Sequence, residues 1–157
     1  MAARAALVLM VLAMLCGGCT SLATPRPGPA TVAAMPLTEA NLAQVRAAVA
    51  RAKAAAPKPA DKDAYVRFAR QVYVTSWTGS WSAAATTETA MAKAKAGDAI
   101  AREYLTVVVY DLPLQAAMEG VSLSAEDWRD IYVGSGIMND AVFACYAALS
   151  RGGKVLP

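Results

Sequence analysis

Tyr65, Phe68, Ala69, Val72 and Tyr73 fall at i, i+3, i+4, i+7 and i+8, while Lys62, Arg67 and Arg70 lie elsewhere. Only an α-helix gathers those five apolar side chains on one face, and Asp61 stands where an N-cap is needed. The same period recurs on both sides. Thr38 is placed to cap a helix with Leu42, Val45, Val49, Ala52 and Ala56 on its apolar side, Glu39 in its first turn and Pro57 at its end. Ser82 to Ala96 is rich in helix formers and offers Met91 and alanines to a core, with Gly97 as its stop.

Further along, Asp98 opens a stripe of Ala101, Tyr104, Leu105, Val108 and Leu112. The β-branched run Thr106-Val107-Val108-Val109 also suits a strand, but only Gln71 to Trp77 offers a pairing segment, so helix is preferred. Pro113 is expected to kink or end this element, and Gly120 to close the stretch that follows. Ser124, with Glu126 and Asp127 in the first turn, starts a last stripe of Trp128, Ile131, Tyr132, Ser135, Met138, Val142, Cys145, Tyr146 and Leu149. Gly134 and Gly136 interrupt it or allow close backbone contact. The expectation is an all-α fold: a small single-domain helical bundle of four to six helices over 38–152, with a short tail at 153–157. About 115 residues is an ordinary size for one domain.

The first 37 residues do not belong to that pattern. Met1 to Arg4 carries a positive charge, Ala5 to Leu15 is an unbroken apolar run, and Cys16-Gly17-Gly18-Cys19 follows directly. Eleven apolar residues fall short of the roughly 20 that span a bilayer as a helix, so the run reads as the h-region of an export signal. Thr20 to Leu37 holds Pro25, Pro27, Pro29 and Pro36 without apolar periodicity. It reads as an extended tether able to hold the domain up to about 50 Å from its anchor.

Residues 1–18 resemble the signal peptide of bacterial lipoproteins, with Cys19 as the lipidated residue. Gly17 and Gly18 match the small residues before that cysteine; Cys16 stands where Leu, Val or Ile is usual, and Leu15 lies one place earlier. The resemblance implies cleavage before Cys19, a diacylglycerol on its sulfur and an acyl group on its new amine, a combination that anchors stably where one chain does not. Thr20, in place of an Asp, implies the outer membrane, with the domain facing the periplasm. Secretion after cleavage at Ser21-Leu22-Ala23 and an uncleaved anchor are the alternatives. Under the lipoprotein reading Cys145 is the only thiol left, so no intramolecular disulfide forms. It is expected to be a small core hydrophobe, with intermolecular pairing as the alternative.

Composition narrows the function. The chain of 157 residues has no histidine and a formal charge of +3 with cations and anions interleaved. Nucleic acid is therefore not an expected partner, imidazole catalysis is excluded, and no cysteine–histidine zinc site exists in the sequence. The densest carboxylates, Glu126, Asp127 and Asp130 with Asp140 further on, suit a helix N-terminus better than a cation or acid–base site. Gly134-Ser135-Gly136 lacks the third glycine and preceding strand of a dinucleotide loop. No Ser-x-x-Lys or Gly-x-Ser-x-Gly sequence occurs. Neither an enzyme nor a cofactor is expected; catalysis would need Glu103, Asp111, Glu126, Asp127 or Asp130 to converge.

Trp77-Thr78-Gly79-Ser80-Trp81 is the least ordinary feature. Its two indoles either form a platform for a sugar or a partner, with Arg67 and Arg70 adding an anion contact, or pack over the end of the preceding helix. The preferred expectation is a membrane-tethered, non-enzymatic lipoprotein that binds another envelope protein, as an accessory, adaptor or immunity-type subunit. The alternative is a module for peptidoglycan or a small ligand built on Trp77 and Trp81.

Overall fold

A computed structural model describes residues 32–55, 59–77 and 81–150 of the chain. The signal segment, Cys19, the tether up to Thr31 and the tail at 153–157 lie outside the described residues, as do Ala56, Pro57 and Thr78-Gly79-Ser80. Six helices pack around one core: α1 (Glu39–Ala55), α2 (Lys62–Ser76), α3 (Ala83–Lys95), α4 (99–118), α5 (Ala125–Gly134) and α6 (Asp140–Ser150). No strand occurs among the described residues, only an isolated parallel bridge between Ala34 and Ser82. The fold is all-α, as the periodicity predicts.

Side-chain caps set most of the helix starts. Asp61 accepts from the Ala64 N–H at 2.7 Å, Ser82 from Ala85 at 3.1 Å and Asp98 from Ala101 at 2.9 Å. Ser124 and Asp127 form a reciprocal capping box at the start of α5. Each cap removes an orphan N–H within three residues of itself, so the boundary is written locally.

The stripes form the core. Leu42, Val45 and Val49 of α1 meet Tyr65, Phe68, Ala69, Val72 and Tyr73 of α2, and both meet Tyr104, Leu105, Val108 and Leu112 of α4. Trp128, Ile131, Tyr132, Val142, Phe143 and Tyr146 close the other side. α3 contributes more polar surface than its sequence suggests: Thr86, Thr87 and Ala90 are fully buried, while Met91 is only partly so. The last stripe is divided, because α5 ends at Gly134 and Gly136 takes φ +77°, a left-handed conformation that only glycine adopts cheaply. Cys145 is half-buried and not a core residue.

The segment around Pro113 departs from expectation. α4 neither kinks out of the core nor ends there; it runs as α over Ala99–Leu105, as π over Thr106–Tyr110 and again as α over Asp111–Met118. The Asp111 N–H bonds to the Thr106 carbonyl, the wide i+5 turn of a π-helix. Pro113 has no N–H to return to the carbonyl four residues back, Val109. The Tyr132 hydroxyl donates to that carbonyl at 2.5 Å instead, and Tyr65 donates to the Leu112 carbonyl at 2.7 Å. Tyr132 thus satisfies the carbonyl that Pro113 leaves without a donor, and Tyr65 ties the next turn to α2.

The tether is shorter than its sequence suggests. Ala33 accepts from the Ser82 N–H at 2.9 Å, and the Met35 N–H donates to Thr86 Oγ1 at 2.8 Å. Met35 is buried and Leu37 packs on the core. Residues 33–37 are therefore part of the domain and not of a tether.

Candidate functional site

The two tryptophans lie at the junction of α2 and α3. Trp77 directly follows α2, and its indole N–H donates to the Trp81 carbonyl at 3.0 Å. Its ring packs edge-on against Tyr104 with centroids 6.3 Å apart. Behind it the Tyr104 hydroxyl meets Thr87 Oγ1 at 3.2 Å, and burial pushes that phenol well above its ordinary pKa. Trp77 is therefore committed to structure. Trp81 is exposed at 38%.

Both rings border a small pocket whose other walls are Met35, Asn41, Gln44, Val45 and Ser76. Its volume is about 50 Å³. Ligand sites run from about 300 to 1,000 Å³, so this cleft holds water and not a sugar. None of its lining residues is ionisable.

Arg67 and Arg70 do not join the tryptophans. Arg70 ion-pairs with Asp130 of α5 at 3.3 Å, and its guanidinium lies over Gly134, 3.2 Å from where a Cβ would stand. Arg67 is exposed on α2. Arg70 precedes Trp77 by two helical turns, about 10 Å along the axis. Cys19 lies outside the described residues.

The carboxylates are dispersed into separate ion pairs that join different helices. Glu103 pairs with Arg46, Asp111 with Lys53 at 2.6 Å, Asp127 with Lys62 at 2.9 Å, Asp130 with Arg70, and Asp140 with Arg129. Partial burial pushes the Asp127 carboxyl up, but hydrogen bonds from Ser124 and Lys62 outweigh it and hold it below the usual range. The same bond, with the attraction of the Asp127 charge, raises Lys62. No group of three potential metal-binding residues occurs among the described residues. Of the five candidate carboxylates, Glu103, Asp111, Asp127 and Asp130 are each held in a separate ion pair.

Two features escape the sequence reading. A shallow groove of about 420 Å³ runs between α1 and the π turn, floored by Val49, Ala50 and Val107 and edged by Arg46, Lys53, Thr106 and Asp111. Its cations are already neutralised by Glu103 and Asp111. On the outer side of α4, Leu114 is 60% exposed and Met118 81%. They are i and i+4 and so adjoin on one face. Their spacing is visible in the sequence, but Pro113 disguises it by suggesting that no helix continues.

Compared with protein families, characterised proteins and solved structures, the chain gives no match. Among the described residues no helix is long and apolar enough to cross a membrane.

Proposed function

We propose that the chain is a lipid-anchored envelope protein of the bacterial outer membrane that binds another envelope protein and catalyses nothing. The observation that carries the binding half is the exposed pair Leu114 and Met118, large apolar side chains side by side on a helix whose opposite face is core. Aliphatic side chains left together in water are a cost to a monomer and a gain once covered. The anchoring half rests on the sequence, where a positive start, an eleven-residue apolar run and Cys19 follow in order.

Two considerations favour a protein partner over peptidoglycan or a small ligand. The cleft beside Trp77 and Trp81 is too small for a sugar ring, and Trp77 is occupied with Tyr104 and the Trp81 carbonyl. An adaptor fits better than a hydrolase because Glu103, Asp111, Asp127 and Asp130 each face a different cation. The test is site-specific photocrosslinking in native membranes, with the photoreactive group at position 118 in the full-length chain and at position 67 as control. The reading requires one dominant envelope protein captured from 118, none from 67, and loss of capture in Cys19→Ala. Mass spectrometry of the same preparations reads acylation of Cys19; an unmodified Cys19 removes the anchor.

A further inference from the structure

From Gln71 to Thr87 the chain carries no Asp, Glu, Lys or Arg, and none occurs from Pro27 to Thr38. The fold brings these two stretches together. Ser82 and Thr86 at the start of α3 meet residues 33–35 through the bond from Ser82 to Ala33, the Ala34–Ser82 bridge and the bond from Met35 to Thr86, and Met35 shares a pocket with Ser76, Trp77 and Trp81. Three of the five large apolar side chains exposed among the described residues lie on them: Val32 at 51%, Val74 at 58% and Trp81 at 38%. The adjoining pocket, with Asn41 and Gln44, adds amide groups and no charge.

This uncharged end is where the chain leaves the domain toward Cys19. We infer that it is a membrane-facing surface: Trp81 and Val32 rest in the headgroup region of the bilayer that holds the anchor. The inference rests on the lipoprotein reading above. Only twelve residues separate Cys19 from Val32, a contour of about 40 Å at most, so anchoring at Cys19 raises the effective concentration of Val32 and its neighbours at the surface. Tryptophan is the side chain enriched at that depth, because its ring is apolar and its N–H keeps a polar contact. With no cation at this end, the contact depends on apolar burial and not on anionic lipid, which separates it from polybasic attachment. Position also fits. Tyr104, against Trp77, and Met118 are 14 residues apart on α4, about 21 Å, so seating the tryptophan end on the membrane turns Leu114 and Met118 toward the periplasm.

The experiment reconstitutes the full-length acylated protein into vesicles of phosphatidylethanolamine and phosphatidylglycerol, with or without phosphatidylcholine brominated near the headgroup, and reads tryptophan emission. Trp128 is buried and Trp77 packs on Tyr104, so Trp81 is the ring open to a quencher. Bromolipid is expected to quench the wild type, and the quenched fraction is expected to vanish in Trp81→Phe, which keeps the backbone acceptor for Trp77. Quenching is expected to be unchanged by added salt and by replacing phosphatidylglycerol with a zwitterionic lipid. If the protein floats with the vesicles but wild type and Trp81→Phe respond alike, the membrane-facing surface is disproved while the anchor stands. If it does not float, the anchor itself fails and the inference goes with it. A Trp81 emission shift that follows protein concentration and ignores bromolipid overturns the inference in favour of self-association. Circular dichroism confirms that the variant is folded.

Discussion

Tyr132 donates its hydroxyl to the Val109 carbonyl, 23 positions earlier in the chain, in the place of the N–H that Pro113 lacks. The bond is buried, and the acceptor has no helical donor of its own. Tyr132→Phe is expected to lower stability by about 1–3 kcal/mol, the penalty for a buried acceptor left unpaired. In a Pro113→Ala background the restored N–H offers Val109 a second donor, so the cost of Tyr132→Phe should shrink. Urea unfolding of the four proteins in the cycle reads this coupling, and strict additivity would show that proline and tyrosine are not linked.

Five tyrosines, Tyr65, Tyr73, Tyr104, Tyr110 and Tyr132, have phenols raised by burial. The Tyr73 hydroxyl, buried beside that of Tyr132, adds to the difficulty of ionising Tyr132, whereas Tyr73 itself is raised by burial and partly relieved by its Tyr132 neighbour. Above pH 10 the unfolded chain releases these protons and the folded one retains them. Stability is therefore full below the unfolded pKa and falls as pH rises past it, by about 1.4 kcal/mol per pH unit for each tyrosine. Tyrosinate absorbance should rise in one step together with the loss of helical circular dichroism. A gradual titration centred at pH 10 with the helices intact would contradict the burial.

Two glycines near one corner should respond oppositely to alanine. Gly136 sits at φ +77° with open space around it, so Gly136→Ala should destabilise by about 1–2 kcal/mol through backbone strain alone. At Gly134 the backbone is helical and the neighbour is the flexible end of Arg70. Gly134→Ala should be neutral or stabilising by a few tenths of a kcal/mol, because the guanidinium can shift while helix propensity improves. Thermal unfolding distinguishes the two.

The bond from the Met35 N–H to Thr86 Oγ1 ties the entering chain to α3. Thr86→Val removes the acceptor at nearly constant volume and should cost about 1–3 kcal/mol, whereas Thr86→Ser keeps it and should cost less. Hydrogen exchange at the Met35 amide should accelerate in the first variant only. Equal protection in both would mean that packing of Met35, and not this bond, holds the segment.

What the sequence made legible was what is encoded within a few residues. The caps at Asp61, Ser82, Asp98 and Ser124 act over three positions, and the stripe of α2 is complete within nine residues, so local periodicity located both. The π turn was hidden because Thr106 to Val109 is apolar on every side and the donor that rescues it is a distant tyrosine. Residues 33–37 read as tether because their partners, Ser82 and Thr86, lie about fifty positions away. At the candidate site, Trp77 and Trp81 are joined by the bond from the Trp77 indole to the Trp81 carbonyl. Their division into one structural and one exposed ring depends on Tyr104, which no spacing rule connects to them. Arg70 was placed on the right helix, but its partners Asp130 and Gly134 could not be inferred from α2 alone.

The docking of residues 33–37 also decides how the domain bears load. Tension applied to the chain ahead of Val32 reaches the bond from Ser82 to Ala33 and the bond from Met35 to Thr86 before it reaches the end of any helix. Should those two give way, Ala33 to Leu37 would lengthen the free chain ahead of α1 while α1 to α6 stayed folded. The segment is thus a mechanical fuse, extending under a pull that would otherwise begin to unwind α1.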